Sequence, residues 1–88
     1  MKHLYKYSQD FGHQGYLSGT FIVDSEEINK LKGSEVYFGE VLGKHSEIFG
    51  KLDDCTLTMV TDDQEFIAKM EQFGLQSTGF NPLNYEII

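Results

Sequence analysis

The sequence contains neither arginine nor tryptophan, and it has a single cysteine and a single proline. All seven basic residues are lysines, so the planar pair of donors that arginine offers to phosphates and to guanine is missing. Direct binding of DNA or RNA is therefore not expected. One cysteine cannot form an internal disulfide, which is typical of proteins in a reducing compartment such as the cytoplasm.

Long apolar runs are missing as well. No segment reaches the length required to cross a bilayer, and the first residues lack the apolar core of a secretory signal. We therefore expect a cytoplasmic protein without membrane contact. The 88 residues allow one domain at most, spanning 1–88, close to the size at which a single core becomes marginal. That size favours a homo-oligomer, for which the apolar tail Tyr85 to Ile88 is a candidate contact.

Acidic residues, in contrast, are abundant. The 14 Asp and Glu residues against 7 lysines give a net charge of -7, and most of the acids follow residue 23. We expect an acidic surface on the C-terminal two thirds of the chain. Solubility alone explains such a surface, and so does imitation of nucleic acid in the basic groove of another protein.

The distribution of apolar and β-branched residues predicts an α+β domain. It consists of a small antiparallel sheet with two short helices on one face, in the order ββαβββα with a possible final β. Residues 35–52 partly satisfy a helical period, but Gly39, Gly43 and Gly50 would each cost a helix about 1 kcal/mol. We therefore predict strands at 35–42 and 46–52, joined near Gly43 and Lys44.

The two predicted helices have the same local signals. Asp24 and the pair Asp62-Asp63 predict helix starts, and Gly33 and Gly74 predict the ends. Each helix follows a strand, so residues 20–33 and 58–74 share one order of elements. The segment 77–82 is predicted to be a loop. The tail from Tyr85 is predicted to form a last strand, to dock on the core or to contact another subunit.

The densest group of polar residues lies in one predicted turn. The candidate ligand-binding residues are Glu40, Gly43, Lys44, His45 and Ser46. Glycine lets the backbone approach a ligand, and successive amides in a turn can bind an anion. Lys44 adds a charge, and His45 and Ser46 add hydrogen-bonding groups. The P-loop spacing is absent, however, and a polar hairpin turn explains the same residues.

Other reactive residues give weaker signals. Cys55 follows two aspartates and is expected to be a small apolar filler rather than a nucleophile. No two histidines have a metal-ligand spacing, so we expect no metal and no cofactor. An enzyme would use His45 with Glu40 or Glu47 as an acid/base pair, but nothing identifies a nucleophile, so we expect no enzymatic activity. The aromatic residues outnumber the needs of so small a core. Some of them can stack a base beside the turn, or simply pair across strands.

One stretch has a resemblance to known proteins. The segment Val36-Tyr37-Phe38-Gly39-Glu40-Val41-Leu42-Gly43-Lys44-His45-Ser46-Glu47, followed by Val60-Thr61-Asp62-Asp63, resembles uncharacterised small proteins of bacteriophages and their bacterial hosts. The resemblance covers about the middle half of the chain. It implies a setting rather than a reaction, because small phage proteins often act against host defences by blocking a protein or by sequestering a nucleotide signal.

Two functions follow from these observations. The first is a non-enzymatic binding protein that sequesters an anionic, nucleotide-derived signal at Glu40, Gly43, Lys44, His45 and Ser46. The alternative is an acidic inhibitor that blocks a basic groove on a host defence protein. Its carboxylates would include Glu26, Glu27, Asp53, Asp54, Asp62 and Asp63.

Overall fold

A computed structural model describes residues 1–43 and 45–88. Those residues form seven strands, two α-helices and two single-turn 3-10 helices. The strands are β1 (Lys2–Asp10), β2 (Tyr16–Asp24), β3 (Glu35–Gly39), β4 (Ile48–Lys51), β5 (Leu57–Thr61), β6 (Ser77–Gly79) and β7 (Glu86–Ile87). The helices are α1 (Ser25–Leu31) and α2 (Gln64–Gln72), and the 3-10 helices cover Gly12–Gln14 and Pro82–Asn84. The predicted α+β class with antiparallel strands is confirmed.

The strands form two sheets rather than one. The first has the order β5-β1-β2-β6 and the second has the order β4-β3-β7, and all pairs are antiparallel. In the long β1–β2 hairpin Tyr5 lies opposite Phe21, and Tyr7 lies opposite Gly19. Because side chains alternate along a strand, this register places Tyr5, Tyr7 and Phe21 on one face, which is buried.

Residues 35–51 form a hairpin, as the three glycines predicted, although β3 ends earlier and β4 begins later than expected. The final strand is also present, since Ile87 of β7 lies opposite Val36 of β3. The tail is thus used inside the subunit. Among the described residues, no helix has the length and hydropathy required to cross a membrane.

The prediction of a loop at 77–82 is wrong for its first three residues. They form β6 on the outer edge of β2, with Gly79 opposite Gly19 and Thr78 opposite Thr20. A Cβ on Gly19 would lie 2.5 Å from the backbone oxygen of Phe80, so the close approach of the two strands requires glycine there. Turn-forming residues therefore make a strand because β2 offers them an edge.

The main core lies between the two sheets and α1. It includes the fully buried side chains of Tyr7, Leu17, Phe21, Ile28, Val36, Ile48 and Leu52. The Tyr7 hydroxyl donates to Oε1 of Gln9 over 2.9 Å, and a Cβ on Gly50 would meet that hydroxyl. Burial raises the pKa of Tyr7 to about 12, and the nearby Asp53 carboxylate acts in the same direction.

Candidate functional site

The predicted ligand-binding residues lie in the connection between β3 and β4. Glu40 and His45 are exposed, Gly43 and Ser46 are half-buried, and Lys44 lies outside the described residues. The amide of Gly43 donates to the carbonyl of Glu40 over 3.4 Å, and the amide of Ser46 donates to the carbonyl of Gly43 over 3.2 Å. The structure thus brings Glu40, Gly43 and Ser46 into one turn. Two of the amides that an anion would use are already engaged within it.

His45 has an unusual backbone conformation. Its φ angle is 69°, and among the described residues it is the only non-glycine residue with a positive φ. The left-handed region costs an ordinary L-residue about 1–2 kcal/mol, although histidine adopts it more often than most residues. Local strain of this kind is found at ligand-binding sites, so it supports a function for the turn.

The surroundings of this turn are negative. Tyr37 and Phe49 pair across β3 and β4 with ring centroids 5.0 Å apart, and the Tyr37 hydroxyl donates to Oε1 of Glu47 over 3.2 Å. Desolvation raises the pKa of Tyr37 above its ordinary value, and the carboxylates of Glu47, Glu40 and Glu86 add to the shift. The same carboxylates oppose an anion bound beside the aromatic pair.

Cys55 is exposed, so its prediction as an apolar filler is wrong. It lies in the turn before β5, where the Asp53 carboxylate accepts the amides of Cys55 and Thr56 over 2.9 and 3.1 Å. Thr56 takes the buried position instead, because its hydroxyl donates to the carbonyl of Lys51 over 2.6 Å. The hydroxyl of Thr56 thus makes a hydrogen bond that supports the turn, which explains why Thr56 rather than Cys55 is buried.

Some of the acidic side chains cap helices or support a turn, whereas others are exposed and have neither role. Asp24 accepts the amide of Glu26 over 2.9 Å, and Asp63 accepts the amide of Glu65 over 3.1 Å, so both cap helices as predicted. Asp53 supports the turn before β5. Asp54 is 88% exposed and contacts the Lys32 ammonium at 3.1 Å, and Asp62 is also exposed. Asp54 and Asp62 are therefore the two aspartates on which a partner can act without disturbing a cap.

Among the described residues, no group of three His, Cys, Asp or Glu side chains is placed to hold a metal ion. A cavity of about 350 Å³ lies between the start of β1, the end of β2, α1 and the end of α2. Three of its lining residues carry carboxylates, but Lys2 bridges to Glu71 at 2.7 Å, and Asp24 caps α1 and contacts the N-terminal ammonium at 3.2 Å. Most of the charge in this cavity is therefore already paired.

A different surface combines an open strand edge with exposed apolar side chains. Within 1–43 and 45–88, β5 pairs with β1 alone, and none of its residues is charged. Met59 and Val60 of β5 and Phe66 of α2 are each about half exposed. We call these three side chains and the outer edge of β5 the β5–α2 surface. An open groove of about 330 Å³ adjoins it, lined by Val60, Thr61, Asp63 and Phe66.

A bulge in β5 explains the exposure of Val60. Leu4 of β1 lies opposite Thr61, whereas the next residue, Tyr5, lies opposite Met59, so Val60 is an extra residue without a partner on β1. Such a residue is turned out of the regular alternation. Phe66 is exposed for another reason. Of the residues in α2, Ile67 alone is buried, so the helix meets β1 with a narrow part of its apolar face.

The sequence analysis predicted β5 and α2 but missed the exposure of their apolar residues. One signal was present. Natural edge strands usually carry a lysine, a proline or another charge that prevents pairing with other chains, and the run 57–61 has none of them. Comparisons of the chain with protein-family models, with curated proteins and with solved structures found no match.

Proposed function

We propose that the protein is a non-enzymatic, cytoplasmic binding protein that blocks a basic surface of another protein. The observation that supports this is the β5–α2 surface, where Met59, Val60 and Phe66 are exposed and where Asp54 and Asp62 precede and follow the strand β5 in the sequence. Contiguous exposed apolar side chains in a small soluble protein are typical of protein-binding surfaces. In the setting implied by the phage resemblance, the partner is a host defence protein.

Apolar and acidic residues have separate roles in this proposal. Burial of Met59, Val60 and Phe66 in an interface supplies affinity, at about 25 cal/mol for each Å² of apolar surface removed from water. The net charge of -7 attracts a basic partner and speeds its approach. The partner is then a protein whose binding site joins lysine or arginine side chains to an apolar patch.

This proposal ranks above the anion site because of what each site offers its ligand. At the β3–β4 turn, the amides of Gly43 and Ser46 already donate to carbonyls, and Glu40 and Glu47 lie beside the aromatic pair. At the β5–α2 surface, the apolar side chains are exposed to solvent. Burying them in an interface lowers the free energy, whereas an anion at the turn must overcome nearby negative charge.

The experiment is a selection of random displayed peptides on the immobilised protein, followed by measurement of affinity at low and high salt. We expect enrichment of sequences that combine Lys or Arg with apolar residues, and affinities that fall as ionic strength rises. Enrichment of acidic or uncharged peptides, or of none, would show that the proposal is wrong.

A matched pair of variants locates the binding surface. We expect the enriched peptides to bind Asp54→Lys/Asp62→Lys at least about tenfold more weakly than the native protein. Both aspartates flank the β5–α2 surface, and neither caps a helix. Glu35→Lys/Glu86→Lys changes two exposed acids of β3 and β7 in the other sheet, makes the same change in net charge and serves as the control. An equal loss of affinity in both variants would mean that net charge alone drives the binding.

A second candidate function is the binding of an anionic nucleotide at Glu40, Gly43, Lys44, His45 and Ser46. The φ angle of His45 and the Tyr37–Phe49 pair, on which a base could stack, favour it. Calorimetry with mono-, di- and cyclic nucleotides tests it. Lys44→Met should weaken binding roughly ten- to a hundredfold, since a charge-assisted hydrogen bond is lost. Equal binding by this variant, or no binding by the native protein, removes the candidate.

Self-association also stays a proposal. The tail from Tyr85 is committed to β7 and the core, where Ile87 lies opposite Val36 and the Ile88 amide donates to the carbonyl of Glu35 over 2.9 Å. A dimer would therefore use other surfaces in addition to the tail. Light scattering at tens of micromolar protein decides whether a homo-oligomer forms.

A further inference from the structure

We infer that the partner of the β5–α2 surface is an extended peptide segment that adds to β5 as a further strand, with an uncharged centre and lysine or arginine at both ends. The inference rests on the proposed function and specifies how the basic partner is bound. It follows from the backbone of β5, from the charges at its two ends and from the adjoining groove.

Within the part of the chain that the structure describes, the outer edge of β5 has main-chain groups without a partner. The amide of Ser8 donates to the carbonyl of Thr56 over 2.9 Å, so the main-chain groups of Thr56 and Thr58 point towards β1. The main-chain groups of Leu57 and Met59, which alternate with these two threonines, point away from β1. The amide of Leu57 is already bonded to the carbonyl of Asp53 over 2.9 Å. Among the described residues, the carbonyl of Leu57 and both main-chain groups of Met59 have no partner, so they can pair with an added strand.

The charges at the ends of β5 define the ends of its partner. Asp53 and Asp54 precede the strand, and Asp62 and Asp63 follow it, while the residues between 57 and 61 are uncharged. Residues 53–56 form a turn, so only 57–61 are extended, and at about 3.3 Å per residue this stretch separates the acidic pairs by roughly 15 Å. An extended partner with basic residues at both ends of a short uncharged stretch matches this pattern.

The groove beside β5 provides an anchor. Val60 is turned outward by the bulge, and together with Phe66 it forms the apolar part of the groove. A partner strand that pairs with Met59 continues past Val60, where one of its apolar side chains can enter the groove. This mode of recognition divides affinity between main-chain hydrogen bonds and one side-chain pocket.

A second copy of this chain fits the edge less well. If two β5 strands paired antiparallel about Met59, residue 62 of one copy would lie opposite residue 56 of the other, and residue 64 opposite residue 54. Asp62 and Asp63 would then approach Asp54 of the partner copy. Like charges in such positions destabilise strand pairing, and each copy already carries a net charge of -7.

The test uses a synthetic peptide of alternating Val and Thr residues with Lys-Lys at both ends. A second peptide has the same sequence with every backbone amide between the two lysine pairs methylated, which keeps its charges and removes the donors along both of its edges. A third has Glu-Glu at both ends. We expect the first peptide to bind, the methylated peptide to bind at least about tenfold more weakly and the acidic peptide not to bind.

Met59→Pro tests the same contact from the side of the protein. Its amide points away from β1, so proline removes the outward donor without removing a bond of the β1–β5 pair, and proline is tolerated at such edge positions. We expect at least tenfold weaker binding of the lysine peptide, with Met59→Ala as the control that truncates the side chain and keeps the donor. Should Met59→Pro not fold, the methylated peptide provides the same measurement on the native protein.

The outcomes separate this inference from the proposed function. If the methylated peptide binds as tightly as its parent, strand addition is wrong, while the selection with displayed peptides still decides the proposed function. If the lysine peptide does not bind at low salt, the inferred partner is wrong. If the native protein dimerises and Met59→Pro does not, the edge is occupied by a second copy, which also overturns the inference.

Discussion

The units β2–α1 and β5–α2 begin with the same local sequence and end in different surroundings. Each has a strand, an aspartate that caps a helix and a glycine in the left-handed region after it. β2 lies between β1 and β6, and Ile28 of α1 is fully buried in the main core. β5 lies at an edge, and Ile67 of α2 is buried outside that core.

The difference shows what local signals decide and what they leave open. A cap and a terminal glycine fix where a helix begins and ends, and both units have them. These local signals do not determine how much of the helix surface is buried against the rest of the protein. α1 lies against the core that both sheets build, whereas α2 packs on β1 and leaves Phe66 and Phe73 exposed. The less covered unit is therefore the one available to a partner.

The largest expected effect compares an apolar residue of each helix. Ile28→Ala should lower the free energy of unfolding by about 3 kcal/mol, because it leaves a cavity in the main core. Phe73→Ala should change it by less than about 0.5 kcal/mol, since that side chain is 72% exposed. Chemical denaturation measures both. Similar losses would mean that α2 is covered as well as α1 in solution.

The second comparison uses the two strands. Gly19→Ala in β2 should cost about 2 kcal/mol, because its Cβ would meet the backbone of Phe80 and Thr78 at 2.5 Å and push β6 away. Thr58→Ala in β5 changes an exposed residue on an edge strand and should cost well under 1 kcal/mol. Denaturation with urea gives the difference. Equal costs would contradict the assignment of β5 as the less constrained strand.

A third, smaller effect concerns the cap of α2. Asp63→Ala removes the acceptor of the Glu65 and Phe66 amides, and we expect a loss of about 1 kcal/mol. Asp63→Asn keeps an acceptor at the same position and should recover most of that loss. If the alanine variant is as stable as the native protein, α2 frays already and its cap contributes little.

The smallest effect is a pH dependence at the cap of α1. The bond from the Glu26 amide, and then the N-terminal ammonium, lower the pKa of Asp24 below its ordinary value. A lowered folded-state pKa means that this contribution to stability is present above the unfolded pKa, at about pH 4, and is lost as pH falls through the folded value. Melting temperatures of the native protein and Asp24→Asn should therefore begin to converge as pH falls below about 4 and become equal only below the lowered pKa of Asp24. A difference that persists there would show that charge is not the cause.

Much of the fold could be predicted because its signals are local. Asp24, Asp63, Gly33 and Gly74 marked both helices, and the aromatic and β-forming residues from Leu4 onward and at 16–23 marked the long hairpin. A hairpin joined near Gly43 and Lys44 was also predicted, although β3 ends already at Gly39 and β4 begins only at Ile48. Its chemistry was harder to predict. The carboxylates that surround Tyr37 come from three separate parts of the chain, and only the tertiary structure brings Glu40, Glu47 and Glu86 together.

The sequence by itself determined where the two helices begin and end, because capping and glycine stops act within a few residues. The tertiary structure decided how those elements are covered. It divided the strands into two sheets, made β6 from turn-forming residues on the edge of β2, placed Thr56 inside and Cys55 outside, and left β5 unpaired on one side among the described residues. Burial and edge pairing depend on which distant segments meet, and no local pattern carries that information.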